Sequence, residues 1–340
     1  MEKSSSQHKE EHIRCCLEED VTSSKQTGFE QLYLVNNPLP EINFNDIDVS
    51  SAFLGKRISA PFIVSPMTGG TRLSTKINKN LAQAAQELGV VMSVGSQKLG
   101  LEESSLSATY QVRDVAPDIP LLANLGAIYL NYGYGLEECE RAVEMIGADG
   151  LYLYLNPLQK IFQGTGELNF KGLVEKIGYI CQNLSVPVII KEVGFGISSD
   201  AATLLQDAGV RMLDVAGAGG TSWVKVTRYM KNRSFGKDIA GFDDWGIPTA
   251  DSLIAVRKAA GKVPLIASGG IRTGVQMAKA FALGASFVGM ALPLLAPALK
   301  SSEAVKNKIE SIIKELKIAM FGCGASSLDQ LRNKKVINAK

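Results

Sequence analysis

Histidine is scarce in this chain, with only His8 and His12 in 340 residues. Cysteine is sparse and unpatterned. Cys15, Cys16, Cys139, Cys181 and Cys323 form no CxxC pair, and an odd count at irregular spacing gives neither a disulfide scaffold nor a zinc or iron–sulfur pattern. An excess of one charge is missing too. The 36 Lys and Arg against 34 Asp and Glu leave +2, which argues against the basic field of a nucleic-acid binder. The longest apolar stretch, 287–299, is interrupted by Gly289, Pro293 and Pro297 and falls short of the ~18–20 residues that cross a membrane. Residues 1–20 are charged where a secretory leader would be apolar. The expectation is a soluble, cytoplasmic protein with reduced thiols and neither a membrane nor a nucleic-acid partner.

With 46% apolar residues and both charge signs interspersed, the chain can build a large core, and disorder or low complexity is excluded. Its centre repeats one theme, a short apolar run, a Gly-rich or polar turn, then an amphipathic stretch. The runs are 61–66, 89–95, 120–126, 149–155, 187–193, 211–217, 264–270 and 286–291. None alternates cleanly between apolar and polar residues, the pattern of parallel strands covered on both faces. Helices are predicted at 76–88, 136–146, 170–184, 199–208, 249–260 and 273–283, with another at 302–320. Eight such units predict an α/β fold, the (β/α)8 barrel. A doubly wound open sheet would call for GxGxxG after its first strand, and none is there. The reading is one barrel domain over 1–340: an N-terminal extension to 60, the barrel to 300, a helical segment to 331 and a frayed tail at 332–340. The polar stretch 228–246 is long for a barrel loop and is a candidate lid, with Trp223 and Trp245 as its aromatic anchors.

Barrel active sites lie at the C-terminal ends of the strands, with phosphate often held after the seventh and eighth. Those ends carry Met67-Thr68-Gly69-Gly70, Ser96-Gln97-Lys98, Asn124, Tyr154 to Lys160, Lys191-Glu192, Gly217 to Trp223, Ser268 to Arg272, and Gly289 to Ala291. SGGIRTG has the composition of a backbone phosphate cradle, and equally of a tight turn needing left-handed glycines. Lys191 stands in an apolar strand, where an unpaired lysine costs several kcal/mol. It therefore serves a ligand or a salt bridge invisible in sequence. Glu192 cannot be that partner, because strand neighbours point to opposite faces.

Neither histidine falls in the barrel repeat, which excludes the barrel-mounted histidine base of flavin hydroxy-acid oxidases. No cysteine follows the sixth strand, which removes thiolate chemistry. Glu192 and Asp214 are the only carboxylates near these ends and make no facing glycosidase pair. No His/Asp/Glu cluster suits a transition metal. Amide, hydroxyl and lysine groups around a phosphate-bearing ligand remain, and they point to a cofactor that carries the hard chemistry.

The segments KEEHIRCCLEEDV (9–21), LGKRISAPFIVSPMTGGT (54–71), VGSQK (94–98), LNPLQ (155–159), VPVIIKEVGFGIS (186–198), LDVAGAGGTSW (213–223), DWGIPTA (244–250) and ASGGIRTG (267–274) occur in the order of one family. The chain resembles type 2 isopentenyl diphosphate isomerase, the FMN-dependent kind, from Lys9 to Leu331. The resemblance implies a barrel that binds FMN and moves one double bond between isopentenyl and dimethylallyl diphosphate. The reaction is redox-neutral yet needs reduced flavin, usually from NADPH, and Mg²⁺ accompanies the diphosphate. It also implies a homo-oligomer, tetramer or octamer. By resemblance, Met67, Thr68, Ser96, Asn124, Lys191, Thr221, Gly269, Gly270, Arg272 and Ala291 hold FMN. Asn156 and Gln159 face the substrate, with Gln159 beside the migrating double bond, and Lys191 favours anionic reduced flavin.

The substrate half departs from the family pattern. His8 stands where the family has Arg, ahead of Lys9 and His12. Lys98 also replaces Arg, Tyr154 replaces His, and Lys160 replaces the glutamate that binds Mg²⁺. Lysine offers a point charge in place of a bidentate fork, and an ammonium cannot ligate a metal. No metal ligand is therefore assigned, and whether Mg²⁺ is kept stays open. Either Lys160 takes over the metal's role against the diphosphate, or the flavin serves another substrate. The alternatives to an isomerase are thus a repurposed FMN oxidoreductase acting without diphosphate and a non-catalytic ligand-binding relative.

Overall fold

A computed structural model describes residues 5–164, 166–230 and 241–338. Eight parallel strands close into a barrel: β1 (Phe62–Val64), β2 (Val91–Ser93), β3 (Leu121–Gly126), β4 (Gly150–Tyr154), β5 (Val188–Lys191), β6 (Met212–Asp214), β7 (Leu265–Ala267) and β8 (Phe287–Met290). Each pairs with its neighbours in chain order, and β8 closes the ring on β1 with Val288 opposite Phe62 and Met290 opposite Val64. The predicted (β/α)8 barrel is the observed one, and every predicted run contains one of its strands.

Helices follow the strands because local signals start and stop them. Thr71 accepts a hydrogen bond from the Ser74 amide and opens Arg72–Leu88, which ends at Gly89 with φ 62°. Ser198, Thr273 and Ser301 cap Ser199–Asp207, Gly274–Ala282 and Ser302–Gly322 in the same way. Between helices and strands lies the main apolar core.

Inside the ring each strand contributes one residue to a second cluster: Ile63, Val91, Leu122, Tyr152, Ile189, Met212, Ile266 and Phe287. The antiparallel hairpin Ser51–Phe53 and Lys56–Ile58 closes it from below with Phe53 and Ile58. Side chains alternate along a strand, so the next inward layer is Ser65, Ser93, Asn124, Tyr154, Lys191, Asp214, Ser268 and Gly289. An apolar floor thus carries a polar layer directly above it.

Both terminal segments carry regular structure, and the expectation for the tail needs correction. The N-terminal segment holds a helix, Ser5–Glu18, which packs Cys15 among Val21, Val226 and Met230. Cys15 is buried there and Cys16 half-buried. The tail read as frayed contributes a strand, Val336–Asn338, antiparallel to Leu32–Leu34. Of the candidate lid at 228–246, residues 231–240 lie outside the described residues. At its edges Arg228 pairs with Asp243 at 2.9 Å, and Phe242 packs against Trp245 and Phe162.

Candidate active site

The mouth of the barrel holds a cavity of about 400 Å³. Every residue that the family resemblance assigns to the flavin or the substrate lines it. Strand ends and the loops after them bring Met67, Thr68, Ser96, Lys98, Asn124, Tyr154, Asn156, Gln159, Lys160, Lys191, Thr221, Gly269, Gly270, Arg272 and Ala291, while the N-terminal helix brings His8, Lys9 and His12. The histidines therefore reach the site from outside the barrel. His12 meets Trp223 edge to face, ring centroids 5.3 Å apart.

The salt bridge invisible in the sequence of Lys191 is present. Its Nζ donates to Asp214 Oδ2 at 2.8 Å and to Ser268 Oγ at 2.9 Å. Asp214, fully buried, also accepts from Ser268 Oγ at 2.6 Å and from Tyr152 OH at 3.2 Å. Burial holds the Tyr152 phenol well above its ordinary pKa, so it remains a donor. Neither Asp214 nor Ser268 was legible as this partner, although both stand in the same inward layer as Lys191. Glu192 faces the other way, as the strand period requires. Its Oε2 accepts the amides of Val193, Gly194 and Phe195 at 2.6–2.7 Å. Burial pushes its carboxyl up to about 7 against the pull of those donors and of Lys191.

The glycine loops after β6 and β7 pack on one another. A Cβ on Gly269 would lie 2.1 Å from the Gly217 carbonyl oxygen, and Gly269 and Gly270 take φ of +98° and +77°. The turn requirement for SGGIRTG is therefore real, and the same two loops form a wall of the cavity. Asn156 Nδ2 donates to Gln159 Oε1 at 2.9 Å, fixing both amides at the start of helix Pro157–Gln163. Tyr154 OH donates to Ser96 Oγ at 3.2 Å. Burial draws Lys9 down to about 8 and lowers the Arg272 guanidinium, with no carboxylate among the causes in either case.

Among the described residues, Ser65 Oγ, Asn124 Oδ1 and Asn156 Oδ1, all on side chains that line this cavity, are buried without a hydrogen-bond partner. Each such atom costs ~1–3 kcal/mol unless a ligand pairs it. Unpaired amide and hydroxyl groups, a fixed ammonium and a glycine wall fit a flavin mononucleotide, whose ring edge offers donors and acceptors and whose tail ends in phosphate. The donor set does not fit Mg²⁺ where the family places it. Lys160 occupies that position, and among the described residues no three His, Cys, Asp or Glu side chains converge on a metal site.

The profile of the FMN-dependent dehydrogenase family matches residues 3–110 and 162–338. The isopentenyl-diphosphate delta-isomerase of Oceanobacillus iheyensis is 48% identical over 335 residues, 98% of this chain and 96% of that one. The chain belongs to the type 2 isopentenyl diphosphate isomerase family. Isomerases of the same name from a Nostoc species and from Rickettsia felis are 47% and 44% identical over 96% and 97% of this chain. Among solved structures, a mandelate oxidase variant superposes with TM-score 0.69 at 20% identity over 96% of this chain and 95% of that one. A lactate oxidase from Pediococcus acidilactici gives 0.66 at 19% over 97% and 87%. At that identity the oxidases show the fold alone, and it is the isomerase sequences that place this type 2 family member.

Proposed function

We propose that this chain interconverts isopentenyl and dimethylallyl diphosphate, with reduced FMN in the barrel mouth. The observation that carries the reading is identity of 44–48% along nearly the whole chain to isomerases of that name. An oxidoreductase acting on another substrate is not favoured, since its only motive is the four substrate-side exchanges at His8, Lys98, Tyr154 and Lys160.

Met67, Thr68, Ser96, Asn124, Lys191, Thr221, Gly269, Gly270, Arg272 and Ala291 hold the flavin in this reading, and NADPH is its reductant. When bound, reduced FMN supplies an acid–base edge for moving the proton between alkene carbons. Lys191, held by Asp214 and Ser268, would stand at the pyrimidine end of the bound flavin, where an ammonium favours the anionic reduced form. The Asn156–Gln159 amide pair orients Gln159 toward the reacting carbons, leaving its Nε2 hydrogens for the substrate. His8, Lys9, His12 and Lys98 face the anionic head, with Tyr154 alongside. A cytoplasmic homo-oligomer, tetramer or octamer, belongs to the same proposal and rests on the family resemblance alone.

Proton NMR under anaerobic conditions tests it. Protein with dithionite-reduced FMN is mixed with isopentenyl diphosphate in D₂O, once with EDTA and once with MgCl₂. The expected result is dimethylallyl diphosphate carrying deuterium in its new methyl group. Neither conversion nor exchange in either sample sinks the isomerase.

A further inference from the structure

One polar cluster in the mouth is absorbed by neither the flavin nor the reacting carbons. Lys160, only 3% exposed, donates from Nζ to Glu167 Oε2 and to Tyr129 OH, both at 2.9 Å. Lys98 reaches the other oxygen of the same carboxylate at 3.3 Å, with Glu102 3.7 Å away on its outer side. Both ammoniums also lie over the Tyr129 ring, at 4.4 and 4.5 Å from its centroid. Burial and the Glu167 charge raise the Tyr129 phenol's pKa, so it stays neutral. Lys98, Lys160, Glu167 and Tyr129 all line the cavity.

We infer that Lys98 and Lys160 are a metal-free clamp for the anionic head of the ligand, and that the Glu167 carboxylate occupies the place of that anion until the ligand displaces it. Two ammoniums supply the two positive charges of one divalent cation. They do so through N–H donors, which a phosphate oxygen accepts directly. A Mg²⁺ ion needs oxygen ligands, and an ammonium at its position repels it. Both lysines share the Glu167 carboxylate, which lines the cavity, so an incoming dianion competes with it for the same donors. Tyr129 adds a neutral hydroxyl that can turn from accepting the Lys160 proton to donating toward the ligand. The inference rests on the isomerase reading for the identity of the ligand, but the clamp is read from the cluster itself.

Titration calorimetry on FMN-loaded protein tests it, with inorganic pyrophosphate and isopentenyl diphosphate as probes at fixed ionic strength. Binding in EDTA is expected to be at least as tight as in MgCl₂, because magnesium on the probe cancels charge that the lysines use. Lys160→Gln weakens metal-free binding by about 10- to 100-fold, the range of a charge-assisted hydrogen bond. Glu167→Gln tightens it, since the competitor is gone. A purely structural ion pair gives a different result, with lower melting temperatures in both variants and no tightening in Glu167→Gln, and that overturns the clamp. Binding seen only with MgCl₂ overturns it too. Should Lys160→Gln fail to retain FMN, Lys98→Gln on the same carboxylate gives the same readout. Metal-free binding without conversion in the NMR assay rejects the isomerase and leaves the clamp. Conversion with magnesium-only binding does the reverse.

Discussion

At the scale of single residues, burial and pairing decide what each charged group can do. Lys191 and Asp214 are enclosed together, so each is the other's compensation, and Ser268 and Tyr152 satisfy the remaining oxygens. Glu192, one position on, is enclosed with backbone amides as its main partners. Its folded pKa of about 7 lies above the ordinary 4.5, so the neutral acid is the form the fold favours. Oε2 of that acid still accepts the three amides. The group therefore destabilises the protein as it ionises, and stability falls as pH rises from about 4.5 to about 7, by roughly 3 kcal/mol. Glu192→Gln keeps an accepting oxygen and removes the titration. Urea unfolding at several pH values should show that slope in the parent and a flatter one in the variant; equal slopes discard this account. Sequence revealed that Lys191 and Glu192 must face opposite ways, because that follows from strand period alone. It could not reveal Asp214, Ser268, Glu167 or Tyr129 as partners, because those come from other strands and loops.

Elements were legible to the degree that they are repetitive. The eight barrel strands are continuous apolar runs, and the helices between them carry caps and amphipathic spacing, so both were visible. The N-terminal helix was not. SSQHKEEHIRCCLE has few apolar residues, and the helix is held by burying Ile13 and Cys15 at the mouth. The strand Val336–Asn338 has no signal except its pairing with the opposite end of the chain. The family motif had already marked His8, Lys9 and His12, yet only the docked helix explains how residues outside the repeat reach the site. Ile13→Asp should undock it, since an apolar side chain worth ~2 kcal/mol of burial becomes a charge. FMN content should hold while pyrophosphate affinity drops tenfold or more, a loss of ~1.4 kcal/mol. Unchanged affinity in that variant shows that the helix takes no part in anion binding.

Across the whole molecule the charge is nearly balanced, at +2, but it is not evenly spread. With Lys191 offset by Asp214, four cations, Lys9, Lys98, Lys160 and Arg272, line the mouth against two carboxylates, Glu102 and Glu167. A concave site walled by low-dielectric protein concentrates such a field, and salt screens it over ~10 Å at 0.1 M. The association rate of isopentenyl diphosphate should therefore fall about tenfold between low and high salt in stopped-flow fluorescence. A rate independent of salt means that the mouth does not steer its ligand.

The two layers inside the ring divide labour along the barrel axis. Below, the eight strands and the hairpin carry Phe53, Ile58 and the apolar floor that hold the ring closed. Above, the loops and the N-terminal helix carry the groups a ligand meets. His8, Lys98, Tyr154 and Lys160, the positions that depart from the family pattern, all belong to the upper part. Such a scaffold can be retuned for what it holds at little risk to what it is, because selection on the mouth and selection for folding act on separate storeys of the same barrel.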